Sequence, residues 1–296
     1  MTGVSLVVPT LGRTSLRTLL DALGTLPPDA ELIVVEDRAR RGPAVARNTG
    51  WREATGEWVV FLDDDVVPEP GWFARLRADL AVGADVGGVQ GRIHVPRPAG
   101  RRPTDWERVT IGLESGAWLT ADMAYRRRVL QETGGFDERF PRAFREDAEL
   151  AHRVRRAGWR LVRGERAVTH PVRPESRWVS LRTQRGNADD AFLRRLYGPD
   201  WRLLLGIPRG RRARHGLVTA AGIGALAALA LPGRWRRLSP ALGLAWAAGT
   251  AEFAAARIAP GPRTPAEVAT MALTSILIPP LAVGHWLAGL RPRRAA

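Results

Sequence analysis

Two short, wholly apolar runs that each end abruptly in carboxylates constrain this chain most. Leu32-Ile33-Val34-Val35 is followed at once by Glu36-Asp37, and Trp58-Val59-Val60-Phe61-Leu62 by Asp63-Asp64-Asp65. Continuous apolar runs this short read as strands buried on both faces, the mark of a parallel sheet covered by helices. A third run, Leu6-Val7-Val8, is closed by Pro9. Helix patterns lie between them. Thr14 can cap a helix with Leu16, Leu19, Leu20 and Leu23 on one face, Gly42-Pro43 opens a second, and Pro70 opens a third. This alternation predicts an α/β domain with a parallel sheet covered by helices on both faces. Ligands of such sheets bind beyond the carboxyl ends of the strands, where both acidic clusters fall.

Further on, the pattern predicts a strand over 119–125 and a helix over 127–133 with Gly134 just past its end. A second helix is predicted over 146–157, closed by Gly158. Trp178, Leu181, Ala188, Phe192 and Leu196 then share one helical face, ringed by Arg177, Arg182, Arg194 and Arg195. That stretch reads either as an interfacial amphipathic helix or as a helix packed on the core.

Composition changes near residue 206, beyond which the chain is rich in Ala, Gly and Leu and poor in acidic residues. The expected division is a catalytic domain over 1–205 and a hydrophobic helical membrane tail over 206–296 with two or three spans. Of three apolar segments, 217–231 is short, 238–256 contains Glu252, and 268–290 is long enough to cross and contains Pro279-Pro280. Three spans place Arg234, Arg236 and Arg237, and also Arg291, Arg293 and Arg294, on the far side. Two spans, with 217–231 in the interface, keep both clusters inside. Glu252 is expected to face other helices or the headgroup boundary. A soluble Ala-rich helical domain is the alternative.

The formal charge of +15 is carried entirely by Arg, scattered along the chain and often beside acidic residues. No basic block is interleaved with aromatics, so nucleic acid is not an expected partner, whereas an anionic membrane surface is. With no Cys there is neither a disulfide nor a thiolate metal site. Met1-Thr2-Gly3-Val4 runs into a strand without the charged and apolar regions of a signal peptide. The first domain is therefore expected in the cytoplasm, at the inner or plasma membrane.

Three adjacent carboxylates repel one another, and a divalent cation relieves that repulsion. Hard oxygen ligands suit Mg²⁺ or Mn²⁺. Alternate residues of an extended chain point the same way, so Asp63 and Asp65 can share a site while Asp64 faces elsewhere. An exposed acidic turn is the other reading of the triplet. Asp37 can accept hydrogen bonds from a base or ribose, or simply cap a turn. In the 146–157 helix, Asp147 shares a face with Ala151 and Val154, which turns it inward, whereas Glu149 pairs with Arg153 as a surface ion pair. Asp147 is therefore the candidate for chemistry.

Four blocks together resemble the family 2 glycosyltransferases of GT-A fold, over about residues 4–170, which implies a Rossmann-like α/β domain with a mixed, mostly parallel sheet and helices on both faces. The blocks are Val7-Val8-Pro9-Thr10; Gly42-Pro43-Ala44-Val45-Ala46-Arg47-Asn48-Thr49-Gly50; Phe61-Leu62-Asp63-Asp64-Asp65-Val66; and Gly134-Gly135-Phe136-Asp137-Glu138 leading to Glu146-Asp147-Ala148-Glu149-Leu150. The resemblance implies Asp147 as catalytic base. It places Pro9, Thr10, Asp37, Arg47, Asp63 and Asp64 at the nucleotide-sugar donor, with Asp37 on the base. The implied ligands of Mg²⁺ or Mn²⁺ are Asp65 and Asp63, as a DxD pair, and His170, which follows Val168-Thr169. Asp122 stands where relatives often carry Asn, leaving the acceptor contact there open. The QxxRW signature of processive synthases is absent, which implies transfer of one sugar at a time. The implied function is an inverting, metal-dependent transfer from a nucleotide-diphosphate sugar to a hydroxyl of a cell-envelope glycan or glycolipid. The alternatives are a polyprenyl-phosphate sugar synthase, whose usual metal motif differs, and a non-catalytic membrane scaffold.

Overall fold

The computed structural model describes residues 3–292; Met1, Thr2 and the terminal arginines Arg293 and Arg294 lie outside the described residues. In chain order the elements are β1 (Val4–Thr10), α1 (Ser15–Leu23), β2 (Ala30–Glu36), α2 (Pro43–Glu53), β3 (Trp58–Leu62), β4 (Val67–Pro68), α3 (Trp72–Leu80), β5 (Val86–His94), α4 (Asp105–Ile111), β6 (Asp122–Arg126), α5 (Arg127–Thr133), α6 (Glu146–Arg156), β7 (Arg160–Thr169), α7 (Val179–Arg182), α8 (Asn187–Tyr197), α9 (Trp201–Leu204), α10 (Arg212–Ala230), α11 (Ser239–Ile258) and α12 (Pro265–Gly289). They fall into two compact units. The first runs to Pro96 and resumes over Thr110–Val172, while the second comprises Arg97–Val109 and Arg173–Pro292.

The first unit is built on a seven-stranded sheet of order β2-β1-β3-β6-β5-β7-β4. The strands predicted from the apolar runs pair in parallel, β1 lying between β2 and β3. The sheet is mixed because β6 runs antiparallel to both β3 and β5, and β4 runs antiparallel to β7. Side chains alternate between two cores, as the two-residue period of a strand requires. Leu6 and Val8 of β1 and Val60 and Leu62 of β3 pack with Leu19 of α1 and Leu76 of α3. Val7, Val59 and Phe61 face the other way, onto Trp51 of α2, Leu130 of α5 and Leu150 of α6. Helices therefore cover both faces. One expectation changes: β2, read as fully buried, leaves Val34 exposed because it is the sheet's edge strand.

Two turns of this unit position chemistry. Parallel pairing sets the ends of β1, β2 and β3 on one sheet edge. The short β4, just after the acidic triplet, pairs Val67 with Thr169 of β7, which delivers His170 beside the triplet although more than a hundred residues separate them. The two glycines that bracket the α2 block have distinct reasons. Gly42 takes a φ of 109° and lies against Pro141, whereas Gly50 lets α2 settle on β1, where a Cβ would come within 2.4 Å of Val7.

The second unit is helical. The 178–196 stretch is not one helix but α7, a 3₁₀ turn and α8. It follows the packed-helix reading, since Ala191, Phe192 and Leu193 are buried and α8 meets α12 so closely that a Cβ on Gly289 would touch the Ala188 backbone. Arg257 of α11 is buried and donates to Thr274 Oγ1 (2.7 Å), Ser275 Oγ (3.1 Å) and Asp105 Oδ2 (2.8 Å), pinning α4 to α11 and α12. Helices α10 and α11 lie against each other, Val218 filling the space over Gly249 and Trp246 that over Gly222. Glu252 pairs with Arg211 and Arg214, at the start of α10. Helices α10 and α12 are long and apolar enough to cross a membrane, with mean hydropathies of 1.3 and 1.6. The segment over 217–231, short on hydropathy alone, is part of a helix that starts at Arg212.

Candidate active site

The acidic triplet divides its labour. Asp64 is buried and turns into the sheet edge, where its Oδ2 accepts from Thr10 Oγ1 (2.6 Å) and its Oδ1 from Arg13 (3.1 Å). It ties the end of β1 to the end of β3. Asp63 and Asp65 instead gather with His170: each offers one ligand atom, and these atoms lie within 4.8 Å of one another. His170 Nε2 is 3.8 Å from Asp65 Oδ1. Two carboxylate oxygens and one imidazole nitrogen, two of the three residues buried, form a donor set that fits Mn²⁺ or Mg²⁺.

Asp63 also belongs to a second group. Arg47 donates to Asp63 Oδ1 and to Glu146 Oε1, each at 2.8 Å, from a side chain only 2% exposed. Burial opposes its charge, but Asp63 and then Glu146 outweigh that and raise its pKa. Both terminal nitrogens of the arginine assigned to the donor are thus held by carboxylates. Glu146 is the candidate-site residue that sequence reasoning passed over. Its partner lies 99 residues away, and no local pattern links the two. Burial and the neighbouring Asp147 charge push the Glu146 carboxyl up to about 7, against the pull of Arg47.

Asp147 occupies the first turn of α6, half-buried, with Oδ1 accepting from the Ala148 N–H at 2.7 Å. Burial raises its pKa, and the Asp63 charge adds to this, while the Ala148 N–H and Arg47 pull the other way. The buried Tyr125 hydroxyl, without a hydrogen-bond partner among the described residues, feels burial first and then the Asp147 charge, and both raise its pKa.

Asp37 takes the capping position. Its two oxygens accept from the N–H groups of Arg41 (2.9 Å) and Gly42 (2.7 Å), shaping the entry to α2. Its own N–H donates to the Thr10 carbonyl at 2.9 Å. Thr10 is buried, and Pro9 is half-buried opposite Val35. Hydrogen bonds therefore link Asp37 through Thr10 to Asp64, and Asp63 through Arg47 to the residue preceding Asp147. The first link joins the ends of β1, β2 and β3, and the second joins the end of β3 to the start of α6.

One expectation is corrected, and one question left open is answered. The Glu149–Arg153 pair is not a surface pair: Glu149 is 2% exposed, and Arg153 binds it with two nitrogens (2.8 and 2.7 Å) while also donating to the carbonyls of Thr133 and Gly135. It fastens α6 to the Gly134-Gly135 turn. Asn48 holds the same block from α2, donating to the Phe136 carbonyl and accepting from the Phe136 N–H. The acceptor contact left open at Asp122 is closed off, because this residue is fully buried, accepting from Arg166 Nε (2.7 Å) and Trp72 Nε1 (2.8 Å). Asp122→Asn is expected to cost about 1.5–3 kcal/mol of stability, the value of a charge-assisted buried bond. A chemical-denaturation midpoint should fall while nucleotide affinity stays unchanged.

Comparison with known proteins agrees with this geometry. Residues 16–149 match the model for glycosyl transferase family 2. Over these residues the chain is similar to the family 2 glycosyltransferases. The match takes in Arg47, the acidic triplet and Asp147 and stops short of His170. The chain is 29% identical over 162 residues to a pre-mycofactocin glycosyltransferase of Mycobacterium tuberculosis, covering 50% of this chain and 34% of that one. It is 28% identical over 173 residues to the probable glycosyltransferase YdaM of Bacillus subtilis, covering 53% of this chain and 40% of that one. The chain thus spans well under half the length of these curated relatives. Among solved structures, a mannosyltransferase of Pyrobaculum calidifontis in complex with GDP-Man and Mn²⁺ superposes with a TM-score of 0.52 at 20% identity, covering 98% of this chain and 87% of that one. The first unit has the GT-A fold, with its mixed sheet and flanking helices.

Proposed function

We propose that this chain is an inverting, metal-dependent glycosyltransferase. It moves a single sugar from a nucleotide-diphosphate sugar to an acceptor hydroxyl of a cell-envelope glycan or glycolipid. One observation carries the reading. The Asp63–Asp65–His170 cluster is tied through Arg47 to Glu146, the residue preceding Asp147, and the Asp147 carboxylate feels the charges of both Arg47 and Asp63.

Asp147 accepts the proton of the acceptor hydroxyl. The oxygen attacks the anomeric carbon from the face opposite the diphosphate, the new glycosidic bond forms, and the bond to the diphosphate oxygen breaks with departure of the nucleoside diphosphate. The burial that raises the Asp147 pKa makes it a better base than an exposed carboxylate. A divalent cation on Asp63, Asp65 and His170, when bound, supplies positive charge against the leaving diphosphate. Arg47 keeps Asp63 and Glu146 in place, and Thr10 with Asp64 orders the edge on which the nucleotide lies. The imidazole in the donor set favours Mn²⁺ over the harder Mg²⁺.

The tail from residue 206 is proposed as the membrane attachment of a domain working at the cytoplasmic face. Supporting this, α10 is apolar yet has only 6% of its apolar window buried. Chelation with EDTA is expected to abolish release of nucleoside diphosphate, and Mn²⁺ to restore it. In Asp65→Ala the Mn²⁺ requirement should rise sharply. Metal-independent turnover in a donor screen on purified protein would sink the reading.

A further inference from the structure

The groove between α10, α11 and α12 holds a cavity of about 570 Å³ with apolar walls and a basic end. Val218, Ala221, Ala245, Phe253 and Pro279 supply the walls. Arg211, Arg214 and His215, at the start of α10, supply the basic end. We infer that this groove binds one anionic phospholipid, its phosphate against Arg211 and Arg214 and an acyl chain along the apolar walls. The inference concerns the tail alone and does not depend on the transferase reading.

Charge decides the headgroup. Two guanidinium groups and an imidazole face a single carboxylate, Glu252. Glu252 engages Arg211 through two bonds (2.8 and 2.7 Å) but reaches Arg214 through only one, at 3.3 Å, and the Arg214 side chain is 67% exposed. Donors therefore remain for a second anion, and the planar fork of Arg matches phosphate oxygens. His215 is packed edge-on against Phe253, ring centroids 4.7 Å apart, which stiffens the junction between the polar end and the apolar walls.

Shape and surroundings decide the tail of the ligand. The walls carry no charged group beyond this end, so a soluble anion would gain nothing from them, whereas a hydrocarbon chain gains apolar contact. The helices that form the groove also turn large apolar side chains outward. Leu226 is 71% exposed, Leu244 72% and Ile223 63%. A row of this kind marks a surface that meets lipid or another apolar partner. Arginines just before an apolar helix are where anionic headgroups collect.

The test uses the full chain purified in detergent, with phosphatidic acid as the probe and diacylglycerol and inorganic phosphate as comparisons. Phosphatidic acid should bind and diacylglycerol should not, and inorganic phosphate should compete only weakly. R211Q/R214Q should weaken phosphatidic acid binding about thirtyfold, from roughly 1 kcal/mol per arginine. A221W, which fills the groove and leaves both arginines in place, should weaken it comparably. R234Q/R236Q/R237Q, which removes the arginines between α10 and α11, should leave it unchanged. The inference is overturned if inorganic phosphate binds as tightly as the lipid, if A221W binds like the parent, or if the 234–237 variant loses as much as R211Q/R214Q. Should R211Q/R214Q fail to fold, as its melting curve would show, the A221W and phosphate arms decide. None of these readouts is glycosyl transfer, so failure here leaves the proposed activity standing.

Discussion

Asp147→Asn is expected to lower kcat by about 10²–10⁴-fold, the usual worth of a positioned general base, while donor affinity changes little. The substitution is nearly isosteric and keeps an oxygen for the Ala148 N–H that Asp147 holds at 2.7 Å. It removes only the group that takes the proton. In the parent protein, burial raises the Asp147 pKa, so kcat/KM should climb with pH through a limb lying above the ordinary carboxylate range. The sign follows from the role: a base works only when deprotonated, and a raised pKa moves that requirement to higher pH. The limb should vanish from the residual activity of the variant. Full activity in Asp147→Asn, measured as nucleoside diphosphate released per enzyme, would reject this assignment and shift attention to Glu146.

Arg47→Met is expected to destabilise the fold by about 3–5 kcal/mol, the cost of removing one partner from a buried ion pair. The side chains of Arg47 and Glu146 are 2% and 3% exposed, so no water replaces the lost guanidinium. Methionine restores most of the volume and none of the charge. Burial already lifts the Glu146 carboxyl, and without Arg47 the lift grows. The folded parent already keeps a proton on Glu146 up to about pH 7, and the folded variant keeps it to higher pH still. The deficit relative to the parent should therefore be smallest below about pH 7 and widen as pH rises above it. Denaturation midpoints across this range measure it. If Arg47→Met instead kept its stability and lost only donor affinity, Arg47 would be a direct donor contact, the role its family resemblance implies.

The two predictions mark different depths of legibility. The helix that carries Asp147 was readable from its 3.6-residue repeat, but which of its carboxylates turns inward was not, since Glu146 and Glu149 are buried and Asp147 is half-buried. The parallel start of the sheet was readable from the apolar runs of β1 and β3, whose alternate residues feed two cores. Arg47 was visible only as part of a motif, and its carboxylate partners were not. Glu149 looked like half of an exposed pair because a spacing of four residues is the same on a buried helix face as on a wet one.

Local pattern alone therefore determined the strand–helix order, the carboxylates at the strand ends, the arginine-only charge and the apolar character of the chain beyond residue 206. These follow from periodicity and composition, which need no knowledge of distant residues. Tertiary structure alone decided that β4 sets His170 beside Asp63 and Asp65, that Arg47 joins Asp63 to Glu146, and that Asp122 is spent on Arg166 and Trp72. The closest of those partners, Arg47 and Asp63, lie 16 residues apart in the chain, and Arg47 and Glu146 lie 99 apart. Pairing at such separations is set by how strands order and helices pack in space, and no short-range pattern records it.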